Sequence, residues 1–379
     1  MYQRALIPAV LAFMVVASGA SGAASSISKH LRHPDDWYKC DEAKKMAKIV
    51  LSYQSPHGDW PKNIDTATEP YKGKPQDLKG TFDNGATIPE LRFLARMTTA
   101  TKDDRYSIAF IKGLDHVLKA QYPNGGWPQY DPPPDKGYWR HITFNDDAMA
   151  HLMDFVRDVA KDDKAFGFVD ADRRGKCKAA WDKGLDCILN CQIKVKGEPT
   201  VWCAQHDEIT LAPANARAFE LASFSGGESA DLVLLLMAIE NPSDRVKQAV
   251  RGAAIWYARN KLTGIKTEHK PDKTGPKGFD VVVVNDPKAP PLWARFYDLE
   301  TGKPFFCGRD GLKKATLAEI EIERRAGYAW YGSWGQKVLD AYPKWAAKNG
   351  MPADLPQWPS AATVCRTCGT HFYTPRRVV

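Results

Sequence analysis

The sequence of 379 residues contains no apolar run long enough to cross a membrane as a helix. A shorter apolar stretch, Ala5 to Ala17, follows the cationic Arg4 and precedes small residues that continue to Ala24. This order is typical of a cleaved secretory signal peptide rather than an anchor. We therefore predict a signal peptide over residues 1–24 and a secreted mature chain, extracellular or periplasmic, with no membrane attachment.

Zinc-finger, RNP-type and basic-helix patterns are also absent, and the Lys and Arg residues are dispersed, which argues against nucleic acid as a partner. The formal net charge of +8 either serves solubility or favours an anionic partner. Together with export, it makes an acidic extracellular polymer the better candidate. The 12 Trp residues are many for this length, and exposed aromatic rings are surfaces on which sugar rings stack.

A second CxxC pair is missing as well. Cys365 and Cys368 form a lone CxxC, only half of a zinc ribbon, so we expect a small disulfide loop there and no metal. The eight Cys residues permit disulfides in an exported chain, with the connectivity left open. The lone pair falls in a C-terminal tail, residues 355–379, which follows one large domain over 25–354.

Two motifs recur in the same order along the chain. Gln54-Ser-Pro-His-Gly-Asp-Trp-Pro61 returns as Gln121-Tyr-Pro-Asn-Gly-Gly-Trp-Pro128. Thr81-Phe-Asp-Asn-Gly-Ala86 returns as Thr143-Phe-Asn-Asp-Asp-Ala148. Gln192, Trp202 and Cys203 fit a third, variant copy of the first motif. A repeat of this kind predicts an architecture of stacked similar units.

Helical apolar stripes fill the gaps between the motifs, as in Ala148, Leu152, Phe155, Val156 and Val159. They predict an initial helix ending near residue 54, three helical hairpins and a last helix over 316–348. The hairpins are 84–97 with 103–121, 146–159 with 170–192, and 228–239 with 244–261. A residue that favours helix starts stands at or near four of the predicted starts: Asn84, Asp103, Asn145 and Asp244.

The resulting fold class is all-α, an α/α barrel-like toroid whose loops gather around one mouth. Between Gly264 and Gly311 the helical pattern gives way to short strand-like runs such as Val281 to Val284. We therefore expect a short β-excursion around 278–308, lying against the helices.

Three polar loop segments are the candidates for chemistry: 81–87, 138–147 and 202–226. Their oxygen-rich and basic residues suit a hard cation together with a carboxylated substrate. Asp83, Asp146 and Asp147 also suit simple helix capping, although three consecutive polar residues at 145–147 exceed what a cap needs. Arg217 could serve as a surface arginine or a salt-bridge partner. Trp60 and Trp127 suit tight structural turns better than sugar contacts.

The motifs resemble those of the family 10 pectate lyases over residues 35–350. The strings that carry the resemblance are Gly58-Asp-Trp-Pro-Lys-Asn63, Thr81-Phe-Asp-Asn84, Asn124-Gly-Gly-Trp-Pro-Gln129, His141-Ile-Thr-Phe-Asn-Asp-Asp-Ala148, Ala216-Arg-Ala-Phe-Glu-Leu221, Asn260-Lys-Leu-Thr-Gly264, Arg295-Phe-Tyr-Asp298, Arg309-Asp-Gly311 and Arg324-Arg-Ala-Gly-Tyr-Ala-Trp-Tyr-Gly332.

The resemblance implies an (α/α)₃ toroid, an incomplete barrel, that cleaves polygalacturonate by calcium-assisted β-elimination. It implies Arg217 as the catalytic base and Ca²⁺ bound by acidic loop residues. The candidate metal ligands are Asp146, Asp147 and Asp83: the resemblance implies Asp83 together with Asp146 or Asp147, and which of them binds calcium stays open. Our candidate substrate-binding residues are Asp83, Asn84, Lys261, Arg309, Arg325 and Trp127, and the arginine that the resemblance expects on the substrate carboxylate is either Arg309 or Arg325. Gly85 stands where the family often has Asp, which leaves open how many protein oxygens reach the metal.

The chemistry of such a reaction explains these residue types. Elimination from a uronide removes the proton α to the carboxylate, and cations stabilise the enolate that forms. Arginine is an unusual base because its ordinary pKa exceeds about 12, and Lys62 and Lys261 are alternatives. An inverting glycoside hydrolase with Asp83 and Asp146 as its carboxylate pair, or a secreted pectin-binding module, are the competing interpretations. We expect a monomer.

Overall fold

The computed structural model describes residues 26–161 and 164–356. The predicted signal peptide, residues 1–24, and the Cys365–Cys368 pair lie outside the described residues. The six described cysteines, which include the buried Cys187, Cys191 and Cys203, are free thiols.

Helices dominate the described part of the chain. The α-helices within it are α1 (Asp41–Ser52), α2 (Ile88–Thr101), α3 (Asp104–Ala120), α4 (Ala148–Ala160), α5 (Ala171–Cys191), α6 (Glu228–Met237), α7 (Asp244–Arg259), α8 (Ile322–Gly327) and α9 (Trp334–Lys348).

Short strands decorate the helices and form two-stranded antiparallel ladders. They are β1 (Ile142–Thr143) with β4 (Gln205–His206), β2 (Lys194–Val195) with β3 (Glu198–Pro199), β5 (Phe224–Ser225) with β9 (Phe296–Tyr297), β6 (Ile265–Pro271) with β7 (Phe279–Asn285), β8 (Trp293–Ala294) with β12 (Tyr331–Gly332), and β10 (Phe306–Cys307) with β11 (Lys313–Lys314).

The helices form two layers, as the apolar stripes predict. In an inner layer α4 contacts both α2 and α6, while α1, α3, α5 and α7 follow one another outside. Each inner helix packs against the outer helix that follows it in the sequence, and α9 packs against α6 and α7. The predicted all-α toroid is confirmed, and it is not a closed barrel.

The recurring Gln and Trp residues fix successive outer helices to one another. Each Gln side-chain amide donates to a loop carbonyl and to a carbonyl of the next outer helix. These pairs are Gln54 with Gly58 and Ala109, Gln121 with Gly125 and Ala180, and Gln192 with Thr200 and Ala249, at 2.8–3.0 Å. The predicted third copy of the motif is therefore confirmed by its hydrogen bonds.

The Trp of each copy closes the end of the preceding outer helix. Four fully buried indoles donate to a carbonyl oxygen near that end: Trp60 to Val50, Trp127 to Val117, Trp202 to Ile188 and Trp293 to Tyr257, at 2.7–3.0 Å. The fourth copy, Trp293, escapes sequence comparison because the β6–β7 hairpin separates it from α7.

The glycines of the motif are required by close approach. Gly58 and Gly125 have φ of +110° and +93°, and an added Cβ would lie 2.7 Å and 2.0 Å from the carbonyl oxygens of Lys112 and Lys183. Only glycine adopts these angles readily and leaves room for the neighbouring helix backbone.

Several predicted element starts are wrong by a few residues. Asp103 does cap α3, accepting from the Arg105 amide at 3.0 Å, but Ser243 caps α7 in place of Asp244. Asn84 lies in a 3₁₀ turn three residues before Thr87, the N-cap residue of α2. Asn145 likewise lies in a turn before α4. These turns have left-handed residues that prevent the helices from starting earlier.

The C-terminal part also differs from the prediction. The β-excursion starts at Ile265, before the predicted 278, because the charged residues of β6 pair with the valines of β7 in one hairpin. The single helix predicted over 316–348 is divided into α8 and α9, with β12 between them paired to β8. A second apolar core lies under this region and includes Phe219, Phe296 and Trp330.

Trp127→Ala should lower the free energy of unfolding by about 3–5 kcal/mol, because it removes a fully buried ring and its hydrogen bond to Val117. Denaturant unfolding measures the effect. Trp139→Ala is the matched control, since that ring is 38% exposed and its loss should cost about 0.5 kcal/mol or less. Equal losses in the two variants would contradict the structural role of Trp127.

Candidate active site

Two acidic turns lie side by side at the N-terminal ends of inner helices. The turns Asp83–Gly85 and Asn145–Asp147 contact each other, ahead of α2 and α4 respectively. Neither has a side-chain capping hydrogen bond, so the capping interpretation of Asp83, Asp146 and Asp147 is wrong. Asp146 and Asp147 have φ of +50° and +59°, a strained conformation that is concentrated at functional sites.

The three predicted loops do lie at the same end of the toroid. Strand β1, just before the second turn, pairs with β4 so that Ile142 lies opposite His206. His206 is buried; its Nδ1–H donates to the Leu211 carbonyl (2.8 Å) and its Nε2 accepts from the Cys203 amide (3.1 Å). Burial lowers the pKa of His206 to about 4, so it stays neutral and holds the loop that leads to Arg217.

Asp83 presents an unsatisfied oxygen to this cluster. It is 2% exposed, and one of its carboxylate oxygens forms an ion pair with the Lys62 ammonium group. Its Oδ1 atom is buried and has no hydrogen-bond partner among the described residues. A buried carboxylate oxygen left in this state is costly unless a cation or a ligand meets it.

Asp146 lies in an environment that opposes its charge. Burial raises the pKa of Asp146 to about 6; Arg295, whose Nη2 atom lies 3.7 Å away, works against this shift, while Asp83, Glu228 and Glu220 add to it. Asn145 donates to its other oxygen at 2.7 Å. The mutual repulsion of these carboxylates would be relieved by a bound cation.

Asp147 faces a different partner. Burial raises the pKa of Asp147 to about 8, and the nearby Asp231, Glu228 and Asp146 add to the effect. Among these neighbours the charge of Asp231, on α6, has the largest effect on Asp147. A cavity of about 40 Å³ lies among these groups and is lined by Asp146, Asp147, Gly227, Glu228, Asp231, Arg295, Ala329 and Trp334.

Arg295 is a central residue whose role the sequence did not reveal. Its buried guanidinium forms an ion pair with Glu228 and lies 4.5 Å from the centre of the Tyr328 ring. Burial would lower the pKa of Arg295, but Glu228 and Asp146 outweigh burial and raise it. The motif Arg295-Phe-Tyr-Asp298 was the one sequence feature that could have pointed to Arg295. Glu228 and Asp231, by contrast, resemble the acidic residues that are common in the first turn of a helix.

Arg217 lies on the third loop with 43% of its side chain exposed. Its Nε atom donates to Glu220 Oε2 at 2.6 Å, and its guanidinium lies 4.9 Å from the centre of the Phe219 ring. Burial acts to lower the pKa of Arg217, yet the hydrogen bonds and charge of Glu220 raise it above its ordinary value. Glu220 also influences Asp146 electrostatically, which puts Arg217 at the edge of the acidic cluster.

Three other residues predicted to bind substrate are either exposed or already paired with another side chain. Lys261 is exposed, and Arg309 is exposed with its Nη2 atom 3.0 Å from Glu323. Arg309 is close enough to Arg217 for their charges to interact. Asn84 donates to Asn63 at 2.9 Å beside the first turn.

Arg325 and Trp127 do not join this site as predicted. Arg325 is held by two hydrogen bonds to Asp280 of β7, at 2.8 Å and 2.7 Å, on the β6–β7 hairpin. Trp127 is fully buried in the apolar core, so its ring has no surface that a ligand could contact.

His141, Asp207 and Glu208 are the described side chains whose potential metal-ligating atoms all come within 4.8 Å of one another. These groups are already satisfied internally. Asp207 accepts from the Ile209 and Thr210 amides, and Glu208 accepts from Arg140 and contacts His141 at 2.9 Å. The acidic cluster at Asp83 and Asp146, with its orphaned oxygen, fits a hard cation better.

Within residues 26–161 and 164–356, no helix has the length and apolar character that a membrane span requires.

Comparison with known proteins gives one consistent family. Residues 54–339 match the family described as pectic acid lyase. A search of curated proteins found no match.

Solved structures give the same result. A family 10 polysaccharide lyase from Cellvibrio cellulosa is 34% identical, with a TM-score of 0.72, covering 84% of this chain and 96% of that one. A mutant form of a family 10 polysaccharide lyase from the same organism, in complex with trigalacturonic acid, is 33% identical with the same TM-score and covers 84% of this chain and 95% of that one.

Proposed function

The chain belongs to the pectic acid lyase family and is a polysaccharide lyase, and from that premise we propose that it cleaves polygalacturonate by calcium-assisted β-elimination with Arg217 as the base. The observation that carries the proposal is the placement of an exposed arginine beside a buried, mutually repelling carboxylate cluster. The trigalacturonic acid bound by the related mutant supports the choice of substrate.

Substrate binding would use the positive charges around the mouth. Lys62 lies beside Asp83 with 24% of its side chain exposed, and Arg309 is exposed on the side of Arg217. A carboxylate on each sugar residue would meet these cations, and the network of positive charges would also stabilise the enolate. We propose Asn84 and Lys261 as further contacts, and leave out Trp127 and Arg325 because of their positions.

Calcium fits the acidic turns. Asp83, with its orphaned oxygen, and Asp146 would hold the ion, and substrate carboxylates would complete its shell of oxygen ligands. The charge of Asp231 on α6 affects Asp147 more than that of Asp146 does, so we assign Asp147 to the support of Asp146 rather than to direct ligation. When bound, calcium supplies Lewis-acid stabilisation of the substrate carboxylate.

The protein residues then have distinct tasks. Arg217 removes the proton α to the carboxylate. The buried Arg295 does not contact the substrate; it holds Asp146 and Glu228 in place through its ion pairs with them. Glycosidic bond cleavage follows as the enolate expels the leaving oxygen. A substrate of this kind is met outside the cytoplasm, which agrees with the predicted export signal over residues 1–24.

The substrate class can be tested with a matched pair of polymers. We expect new chain ends from polygalacturonate and about 10²-fold fewer from carboxyl-reduced polygalacturonate, because the reduced polymer has no carboxylate for the cations to bind and no acidic α-proton. A reducing-end assay measures both. Comparable cleavage of the reduced polymer would contradict a lyase of uronic acids at this site.

A further inference from the structure

The buried carboxylate of Glu220 holds one edge of the Arg217 guanidinium. Nε donates to Oε2 at 2.6 Å and Nη2 donates to Oε1 at 2.5 Å, a bidentate arrangement that fixes the plane of the group. The Glu220 side chain is 4% exposed, against 43% for Arg217. The arginine is therefore gripped from the protein side and open on the mouth side.

Glu220 is itself fixed from two directions. The Tyr328 hydroxyl donates to its Oε1 atom at 2.6 Å. The Glu220 amide donates to the Arg217 carbonyl, and the Ala216 amide donates to the Glu220 carbonyl, each at 2.8 Å. The Phe219 and Tyr328 rings lie against the guanidinium at 4.9 Å and 5.7 Å from their centres. Neither partner of the ion pair can rotate without breaking several contacts.

This arrangement distinguishes the three guanidinium nitrogens. Nε and Nη2 each donate to Glu220, whereas Nη1 has no hydrogen-bond partner among the described residues. A neutral guanidine keeps the protons that are hydrogen-bonded to a carboxylate, because those bonds are charge-assisted. The proton that is lost therefore comes from Nη1, which becomes the basic atom.

We propose that Glu220, locked by Tyr328, is the positioning residue that selects Nη1 of Arg217 as the atom that takes the substrate proton. The inference rests on the proposed function, with Arg217 as base. As the N–H bond at Nη1 forms, the C–H bond α to the carboxylate breaks and its electron pair moves into the enolate. The enolate then expels the glycosidic oxygen, which takes a proton from water, and Nη1 returns its own proton to water.

The same contact has an opposite electrostatic effect. Glu220 favours the charged form of Arg217, and the Tyr138 and Tyr328 hydroxyl groups add to this, while Arg309 opposes it. Arg295 lies beyond Tyr328 and partly offsets the charge of Glu220. Glu220 therefore orients Arg217 but lowers the fraction of the guanidine that is neutral and able to accept a proton, so Arg217 acts as a base only under alkaline conditions.

Glu220→Gln separates the two effects, because the amide keeps the shape but loses the charge and one acceptor. We expect kcat to fall about 10²-fold with KM little changed, since the reacting nitrogen is no longer held in place. Without the negative charge the pKa of Arg217 falls, so the acid limb of kcat/KM should move down by about 1–3 pH units. A purely structural role would not move that limb.

Tyr328→Phe is the matched variant, because it removes one hydrogen bond and leaves the charge of Glu220 in place. We expect a smaller fall in kcat and an acid limb close to the parent's. Parental kcat and an unmoved acid limb in Glu220→Gln would overturn the inference, and if that variant does not fold, parental kcat in Tyr328→Phe would do so. Arg217→Lys, measured alongside, tests the base itself: inactivity there with a parental Glu220→Gln removes only the positioning role.

Discussion

Arg217→Ala and Arg217→Lys should each lose turnover on polygalacturonate by at least about 10²-fold, while oligogalacturonate binding stays close to the parent's. Arg217→Lys should also melt close to the parent, whereas Arg217→Ala should melt at a lower temperature because it leaves the buried carboxylate of Glu220 without its partner. Lysine keeps the positive charge, so an arginine that only served a salt bridge would be largely replaced by it. A proton acceptor held at a fixed place is not replaced, because a displacement of about 1 Å can cost about 10²-fold in rate. Steady-state kinetics across pH, together with calorimetric binding, measure both properties.

The structure provides a control for this experiment. Arg325→Lys changes an arginine that is paired with Asp280 on the β6–β7 hairpin, and we expect it to keep most of the parent's kcat. If Arg217→Lys also kept most of the parent's kcat at every pH, the base would lie elsewhere. Lys261 would then be the next residue to test, since it is exposed and lies just after the end of α7. Lys62 would be tested after Lys261.

Excess chelator should abolish turnover while the far-ultraviolet helical signal stays unchanged, because calcium would be held between the acidic turns and the substrate rather than within the helical layers. The calcium concentration needed for half-maximal activity should rise as the pH falls toward 6. Burial and the neighbouring carboxylates raise the pKa of Asp146 to about 6, so below that value protons compete with the metal for its carboxylate. Activity measured against calcium concentration at two pH values tests this.

Two substitutions distinguish the candidate metal groups. Asp146→Asn should remove the response to calcium, whereas Glu208→Gln should retain it, since Glu208 is already satisfied by Arg140 and His141. The reverse result would move the metal to the cluster of His141, Asp207 and Glu208. Full activity in excess chelator would rule out the metal role and leave a site that works through arginine alone.

The helical layers were predictable because their signals are local and repeated. The stripe through Leu152, Phe155 and Val159 is buried as its spacing indicates, and the Gln54 and Gln121 motifs mark equivalent turns. The starts of α2 and α4 were not predictable in this way. Left-handed residues in the preceding turns delay these starts. The sequence alone does not distinguish an Asp in a left-handed turn from an Asp that caps a helix.

The candidate site was only partly predictable, for a different reason. Asp83, Asp146 and Arg217 were predicted from their motifs, and the structure brings them to one mouth. Arg295 and Glu228 are separated by 67 positions in the sequence, and their buried ion pair has no local pattern. Trp127 shows the converse error: its motif recurs because the indole closes a helix end, and a conspicuous aromatic residue was assigned to the ligand as well.

The most direct test of the account is the ultraviolet absorbance of the products formed from polygalacturonate. β-Elimination leaves a carbon–carbon double bond conjugated to the carboxylate of the new terminal sugar, whereas hydrolysis leaves a saturated sugar. We predict that absorbance rises in step with the number of new chain ends, one unsaturated end for each bond cleaved. New chain ends without any rise in absorbance would contradict the account and would favour a carboxylate-pair hydrolase at Asp83 and Asp146.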